Sequence, residues 1–275
     1  MTWRRLLLFP LLFMVIGMLN LLHVAKLSAQ GEPFPSPPGT LPSGTVYLPL
    51  ISNNVEPTPP PVFDAIPVEG APIDRPAAIH GDLNLSLRGY VTTTSDLTLI
   101  DHEGPADSDA PQIAAIFSPP RLPQFTAVYR VNDWNWGCGE NGCRGLPLTD
   151  YEVTLLEMAT SPGEAISIPS RNQRIYDSSD YKVLVLYAEA TRITLVYRRS
   201  DTPAFGYVVH LEDIAVEPSL VELYQQLNAE GRNKLPALRN GERLGRASGS
   251  SMKIAVRDTG MFMDPRVRKD WWLGY

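Results

Sequence analysis

A serine, a histidine and an aspartate that meet in space can open a carbonyl group. Ser248, Ser250 or Ser251 with His210 and Asp213 supply those residue types. The strained Gly-X-Ser-X-Gly turn that presents such a nucleophile is missing, and Ser248-Gly249-Ser250-Ser251 reads as a glycine-serine turn. Asp107 and Asp109, in the acidic stretch at 101–109, offer oxygens to calcium, which takes about six to eight. Their spacing lacks the Asp/Asn/Gly pattern of a calcium motif, so the stretch reads as a solvated loop. Cys138 and Cys143 flank a glycine-rich turn and predict a disulfide, since a zinc knuckle needs further soft ligands nearby. Trp134 and Trp136 beside them have the spacing that puts two side chains on one face of a strand. Exposed tryptophans stack on sugar faces or protein partners, and covering the edge of the core is the equal alternative. Paired carboxylates for glycoside cleavage cannot be singled out, and no phosphate loop or dinucleotide fingerprint occurs.

The elements that must hold these residues begin well down the chain. Arg4 and Arg5 precede an apolar run at 6–22, and Leu27-Ser28-Ala29 offers a small-residue cleavage site. That is the layout of a secretory signal peptide over residues 1–29. The run is near the lower length limit of a membrane span, so an uncleaved anchor is the alternative and the one membrane contact expected. Residues 30–62 are proline-rich and predict an extended, semi-rigid linker, with an apolar island at 45–51 that reads as a short strand pairing with the body or packing on it, an attachment or sorting element being the alternative. Removing residues 1–29 takes away Arg4, Arg5 and Lys26 and no acid, which moves the formal charge from −6 to −9. An acidic exported chain excludes nucleic acid as a partner and disfavours anionic polymers or lipid surfaces held by net charge alone.

From residue 64 onward, β-branched and aromatic runs alternate with Pro, Gly, Asp and Ser clusters, which predicts a mainly β fold. Runs at 126–131, 153–156, 182–187 and 192–197 read as strands, the last two as a hairpin around 188–191. His80-Gly81-Asp82-Leu83-Asn84-Leu85 and residues 96–100 also read as strands. One helix interrupts at about 218–230. Pro218 suits its first turn, Leu220, Leu223, Tyr224 and Leu227 form one apolar stripe, and Gly231 suits the position after its end. The stripe predicts packing on a sheet rather than a lid. Trp271 and Trp272 read as packing residues. The expected organisation is a β-rich region at 63–147, with the Cys138–Cys143 loop, followed by a β domain at 148–275.

The order of segments in the last third carries a resemblance. Gly206-Tyr207-Val208-Val209-His210-Leu211 is followed by Asn240-Gly241-Glu242-Arg243-Leu244-Gly245, then by Ser251-Met252-Lys253-Ile254-Ala255-Val256-Arg257, and finally by Met263-Asp264-Pro265. Over about residues 150–265 this resembles the LytM/M23 zinc endopeptidase family. There a Gly-Tyr strand ends in His-Leu, a Gly-X-X-Ile-Gly turn follows, and a His-Leu-His strand carries metal ligands before a closing Asp-Pro. The resemblance implies an antiparallel β fold like the duplicated hybrid motif, here with one inserted helix. It also implies where the metal ligands would stand. Counted back from Gly163-Glu164-Ala165-Ile166, the first falls on Val153 and the second on Glu157, and the third falls on Lys253. His210 and Ser251 stand at the positions of the family's other active-site histidines. An ammonium group at a zinc position repels the ion, and Lys253 can pair with Glu157 instead.

The expected function is therefore that of a non-catalytic, secreted or cell-surface protein with neither metal nor cofactor. Its groove candidates are Glu157, His210, Ser251 and Lys253, and its aromatic binding candidates are Trp134 and Trp136. The expected partner is cell-wall glycan or peptidoglycan, or another envelope protein. Two alternatives stand beside this reading. One is a zinc metalloendopeptidase acting on peptidoglycan, with ligands drawn from His80, His102 and His210. The other is a purely structural surface protein.

Overall fold

In the computed structural model, which describes residues 60–275, the β-branched runs form strands at β1 (Asp64–Pro67), β2 (Tyr90–Thr92), β3 (Phe125–Asn135), β4 (Cys143–Pro147) and β5 (Leu155–Ala159). They continue with β6 (Ala165–Ser167), β7 (Val183–Glu189), β8 (Arg192–Val196), β9 (Tyr207–Glu212) and β10 (Ile214–Val216). The last are β11 (Lys234–Leu238), β12 (Arg243–Ala247), β13 (Ser251–Asp258) and β14 (Met261–Met263). The expected signal peptide, the apolar island and the linker up to residue 59 lie outside the described residues. Among the described residues no helix is long and apolar enough to cross a membrane.

The fold is mainly β. One large antiparallel sheet runs β1-β11-β7-β8-β9-β13-β5-β3-β2, with β14 added to β13 and β4 to β3. A small sheet runs β10-β12-β6, and its Ile166, Ile214, Val216 and Leu244 join the main core. Strands from both sides of residue 147 share the large sheet, because β3 pairs with β5 and β1 with β11. The regions expected at 63–147 and 148–275 are thus one packing unit.

Period-two alternation gives the sheet two unlike faces. On β13, Met252, Ile254 and Val256 point into the main core. Between them, Ser251, Lys253, Ala255 and Arg257 point the other way, toward a smaller apolar cluster of Leu85, Val131, Leu155, Ala255 and Phe262. Residues 80–85 are not the strand that the alternation suggested. They turn into the short helix α1 (Leu85–Arg88), because the Asn84 side chain accepts from Ser86 N–H and caps it. Residues 96–100 also fail to form a strand, and Ile100 makes only an isolated bridge to Val267. The β7–β8 hairpin is present, with both strands running on to leave only Ala190 and Thr191 between them.

Helix α2 (Pro218–Ala229) packs its stripe on the sheet, burying Leu220, Tyr224 and Leu227, with Tyr224 edge-on to Tyr187 at 5.9 Å. Gly231 follows it with φ of 93°. The next residue, Arg232, also has a left-handed φ, 62°, a conformation that costs a side-chain-bearing residue roughly 1–3 kcal/mol. Asp201 holds it there, accepting from Nε and Nη2 at 2.7 Å each, while Leu186 O and Asn228 Oδ1 take further guanidinium protons. At the C-terminus α3 (Arg268–Trp271) ends beside Trp272, which is fully buried against Phe125.

Candidate functional site

Glu157, His210, Ser251 and Lys253 do come together on one face of three adjacent strands. Lys253 stands opposite Glu157 on β5 and Glu212 on β9, and Ala255 stands opposite His210. Lys253 Nζ lies 3.6 Å from Glu157 Oε2, so the ion pair suggested by the alignment is present. Its closer partner is Asp213, at the turn after β9. Burial opposes the Lys253 charge, but Asp213 and Glu157 outweigh it and hold the ammonium above the usual lysine range. Burial likewise pushes Glu157 up, and hydrogen bonds from Tyr129 and Ser251, with the Lys253 charge, bring it below the usual carboxylate range. Tyr129 donates to Glu157 at 2.6 Å, and burial together with that carboxylate pushes the phenol up to about 12. Lys253 is thus a fixed cation, with no free base beside it. Val153, just before β5, is fully buried in the core and offers no donor atom.

His210 is sealed from solvent. Thr194 donates its hydroxyl proton to Leu83 O at 2.6 Å, so its oxygen accepts from His210 Nδ1–H at 3.0 Å. Nε2 is then a buried acceptor with no partner. Phe262 stacks on the imidazole at 5.9 Å, with Arg257 and Arg88 lying over Phe262 at 4.8 and 5.3 Å. Burial first, and then these two guanidiniums, hold His210 well below the usual histidine range, with Asp82 opposing. Asp213 is engaged by Lys253, so no serine–histidine–aspartate relay assembles. Zinc does not fit this donor set: Val153 is apolar, Lys253 is a cation, and His210 sits among arginines. His80 and His102 lie elsewhere, in separate surface hollows. Among the described residues no three His, Cys, Asp or Glu side chains are grouped as metal ligands.

A neutral-held histidine has a pH signature. The folded pKa lies below the unfolded value of about 6.5, so the folded state is favoured fully above that pH. Stability then falls as pH drops below it, by about 1.4 kcal/mol per unit. Urea unfolding at pH 7.5 and pH 5.0 should show this loss, and His210→Gln should shrink it. An unchanged pH dependence in the variant would contradict the assignment.

The open site is elsewhere, at the tip of the β3–β4 hairpin. Cys138 and Cys143 are disulfide-bonded and close that tip. Trp134 is buried and acts as a wedge, donating Nε1–H to Asn141 O at 3.2 Å. Its ring lies directly on Gly81 and Gly142, where any Cβ would overlap it. Trp136 contacts Trp134 edge-on, with ring centroids 6.1 Å apart, yet is 37% exposed. The pair thus divides the two expected roles: Trp134 covers the core and Trp136 faces solvent.

Trp136 stands between two clefts. One, of about 480 Å³, is lined by Asp74, Arg75, His80, Asp82 and Asp201. The other, of about 850 Å³, includes Trp134, Leu146 and Asp150. The Arg75 guanidinium lies 4.5 Å from the Trp136 ring centroid, and His80 meets the ring edge-on at 4.9 Å. His80 Nδ1 accepts from Asp82 N–H at 3.2 Å, which leaves its proton on Nε2, 3.7 Å from Asp74. Burial lowers the His80 pKa, against the pull of Asp82 and Asp74. Asp82 itself is clasped by Arg88 and by Arg257, the latter at 3.0 Å, which ties the cleft floor to β13. Apart from Trp136 and His80 these residues carry no local signal, because segments far apart in the chain supply them. In the acidic stretch, Asp107 accepts from Tyr207 and Asp109 pairs with Arg171 at 2.7 Å, so both carboxylates are already engaged. Set against family models, curated proteins and solved structures, the chain matches none.

Proposed function

We propose that this protein is an exported, non-catalytic binding protein of the cell envelope, holding a glycan on the Trp136 cleft, with peptidoglycan the first candidate. The observation that carries the reading is the exposed Trp136 indole, held by a wedged, disulfide-closed hairpin between two clefts. An indole face takes the C–H face of a sugar ring, and the carboxylates and guanidinium at the rim accept and donate to its hydroxyls. Because the platform is rigid before binding, little ordering entropy opposes association. The paired Lys253 and the sealed His210 support the absence of catalysis on the sheet face. The leader-like N-terminus and the disulfide support export.

The test is a binding isotherm on isolated peptidoglycan. Wild-type protein should bind saturably, and Trp136→Ala should weaken binding about tenfold or more, equivalent to roughly 1.4 kcal/mol, with an unchanged unfolding midpoint. Equal binding by the variant would remove Trp136 from the site. No saturable binding would favour a purely structural protein.

A further inference from the structure

Beside the tryptophan cleft lies another of different chemistry, about 370 Å³, whose walls carry Arg171, Arg174, Arg198 and Arg199 against Glu69 and Asp109. Four guanidiniums facing two carboxylates leave two positive charges unmatched, in a chain whose formal charge is −6.

The four arginines are not equivalent. Arg171 is a fixed part of the wall, bonded to Asp109 Oδ2 at 2.7 Å, Asp109 O at 2.8 Å and Tyr197 O at 2.9 Å. Arg199 lies over the Tyr176 ring at 4.7 Å and reaches Glu69 at 2.9 Å, but Glu69 is 64% exposed and free to swing away. Arg198 is exposed, and Arg174 has only a 4.0 Å approach to an exposed Asp177. Two donors on the same wall, Arg199 Nε and Ser200 Oγ, are buried without any hydrogen-bond partner. Buried unpaired donors are rare in folded proteins and ask for an acceptor.

We propose that this cleft binds a phosphate-type oxyanion. A phosphate monoester carries about −1.5 to −2 charges near neutral pH, which matches the unmatched charge of the walls. Its oxygens accept from several guanidinium forks at once, and they are the acceptors that the wall of Arg199 and Ser200 lacks. The acidic net charge argues against long-range attraction, not against a short-range site, since exposed charges beyond about 8–10 Å are screened at physiological salt. The same chemistry is offered by free phosphate and by a phosphorylated sugar.

The experiment is calorimetric titration of the whole protein at constant ionic strength, with inorganic phosphate in one arm and glucose 6-phosphate in the other. Saturable binding of one equivalent is expected, with Arg199→Gln weakening it at least tenfold. Arg198→Gln, at an exposed position, should weaken it as well and serves if Arg199→Gln fails to fold. Arg246→Gln, an exposed arginine outside the cleft, should bind as the wild type does. Tighter binding of the ester assigns the site to a phosphorylated ligand, and equal binding assigns it to free phosphate. No saturable heat in either arm, or equal weakening by Arg246→Gln, overturns the proposal.

Discussion

Arg232→Ala is expected to lower the free energy of unfolding by about 3–5 kcal/mol. The cause is what the substitution leaves behind. Asp201 has a fully buried side chain, and without Arg232 its remaining polar partner is Ile73 N–H at 3.2 Å. Leu186 O, Asn228 and the Tyr224 hydroxyl lose a guanidinium partner at the same time. The left-handed backbone at residue 232 remains, so its strain is no longer offset by the ion pair. Urea unfolding of Arg232→Ala, Asp201→Asn and the double variant measures the coupling. The double variant should lose clearly less than the two single losses added together. A loss under about 1 kcal/mol in Arg232→Ala would mean that the pair is not what holds this turn.

Asp82→Asn should be of similar size, about 3–5 kcal/mol, because it leaves Arg88 and Arg257 buried side by side with no carboxylate between them. Burial already pulls Arg257 down to about 10, with Arg88 adding to the pull and Asp82 opposing it. Burial pushes Asp82 up, and the charges of Arg257 and Arg88 more than reverse this, leaving it below the usual aspartate range. The sign of its pH effect follows. The Asp82 contribution is complete above the unfolded value of about 3.9 and is lost as pH falls through the lower folded value. Acid unfolding therefore has two windows, one beginning near 6.5 in which His210 acts with His80, and one beginning near 4 in which Asp82 acts with Glu157. Stability followed by circular dichroism along an acid titration should show Asp82→Asn shrinking the lower window and leaving the upper one. A variant that keeps the lower window undiminished would separate Asp82 from acid stability.

What the sequence made legible was local. The stripe of Leu220, Leu223, Tyr224 and Leu227 announced α2, and the close cysteines announced the bridge that closes the hairpin. Aligned turns placed Glu157 and Lys253 opposite one another, as the register has them. Residues 80–85 were misleading because their alternation mimics a strand, while the Asn84 cap and the Arg88–Asp82–Arg257 contacts decide otherwise. The last of these contacts joins residues 175 positions apart, beyond the reach of any local pattern. The tryptophan cleft is similar. Trp136 was visible as a candidate, but Asp74, Asp82 and Asp201 become its neighbours only when the loop before α1 and the loop after β8 meet. The resemblance pointed to a groove on the sheet face, where Lys253 is paired and Phe262 stacks on the histidine. The open hollows lie to the side, at positions that the resemblance does not address.

The stretch at 198–204 runs without a break from the arginine cleft into the tryptophan cleft, and Asp201, clamped by Arg232, is its midpoint. Any movement passed along the chain from one hollow to the other has to cross this clamp. With the clamp closed, the two hollows are expected to fill independently. Arg232→Ala, which loosens it, is the variant in which coupling between them should be sought. Under such coupling, occupancy of either hollow would change the affinity of the other by the same factor in both directions, as thermodynamic reciprocity requires.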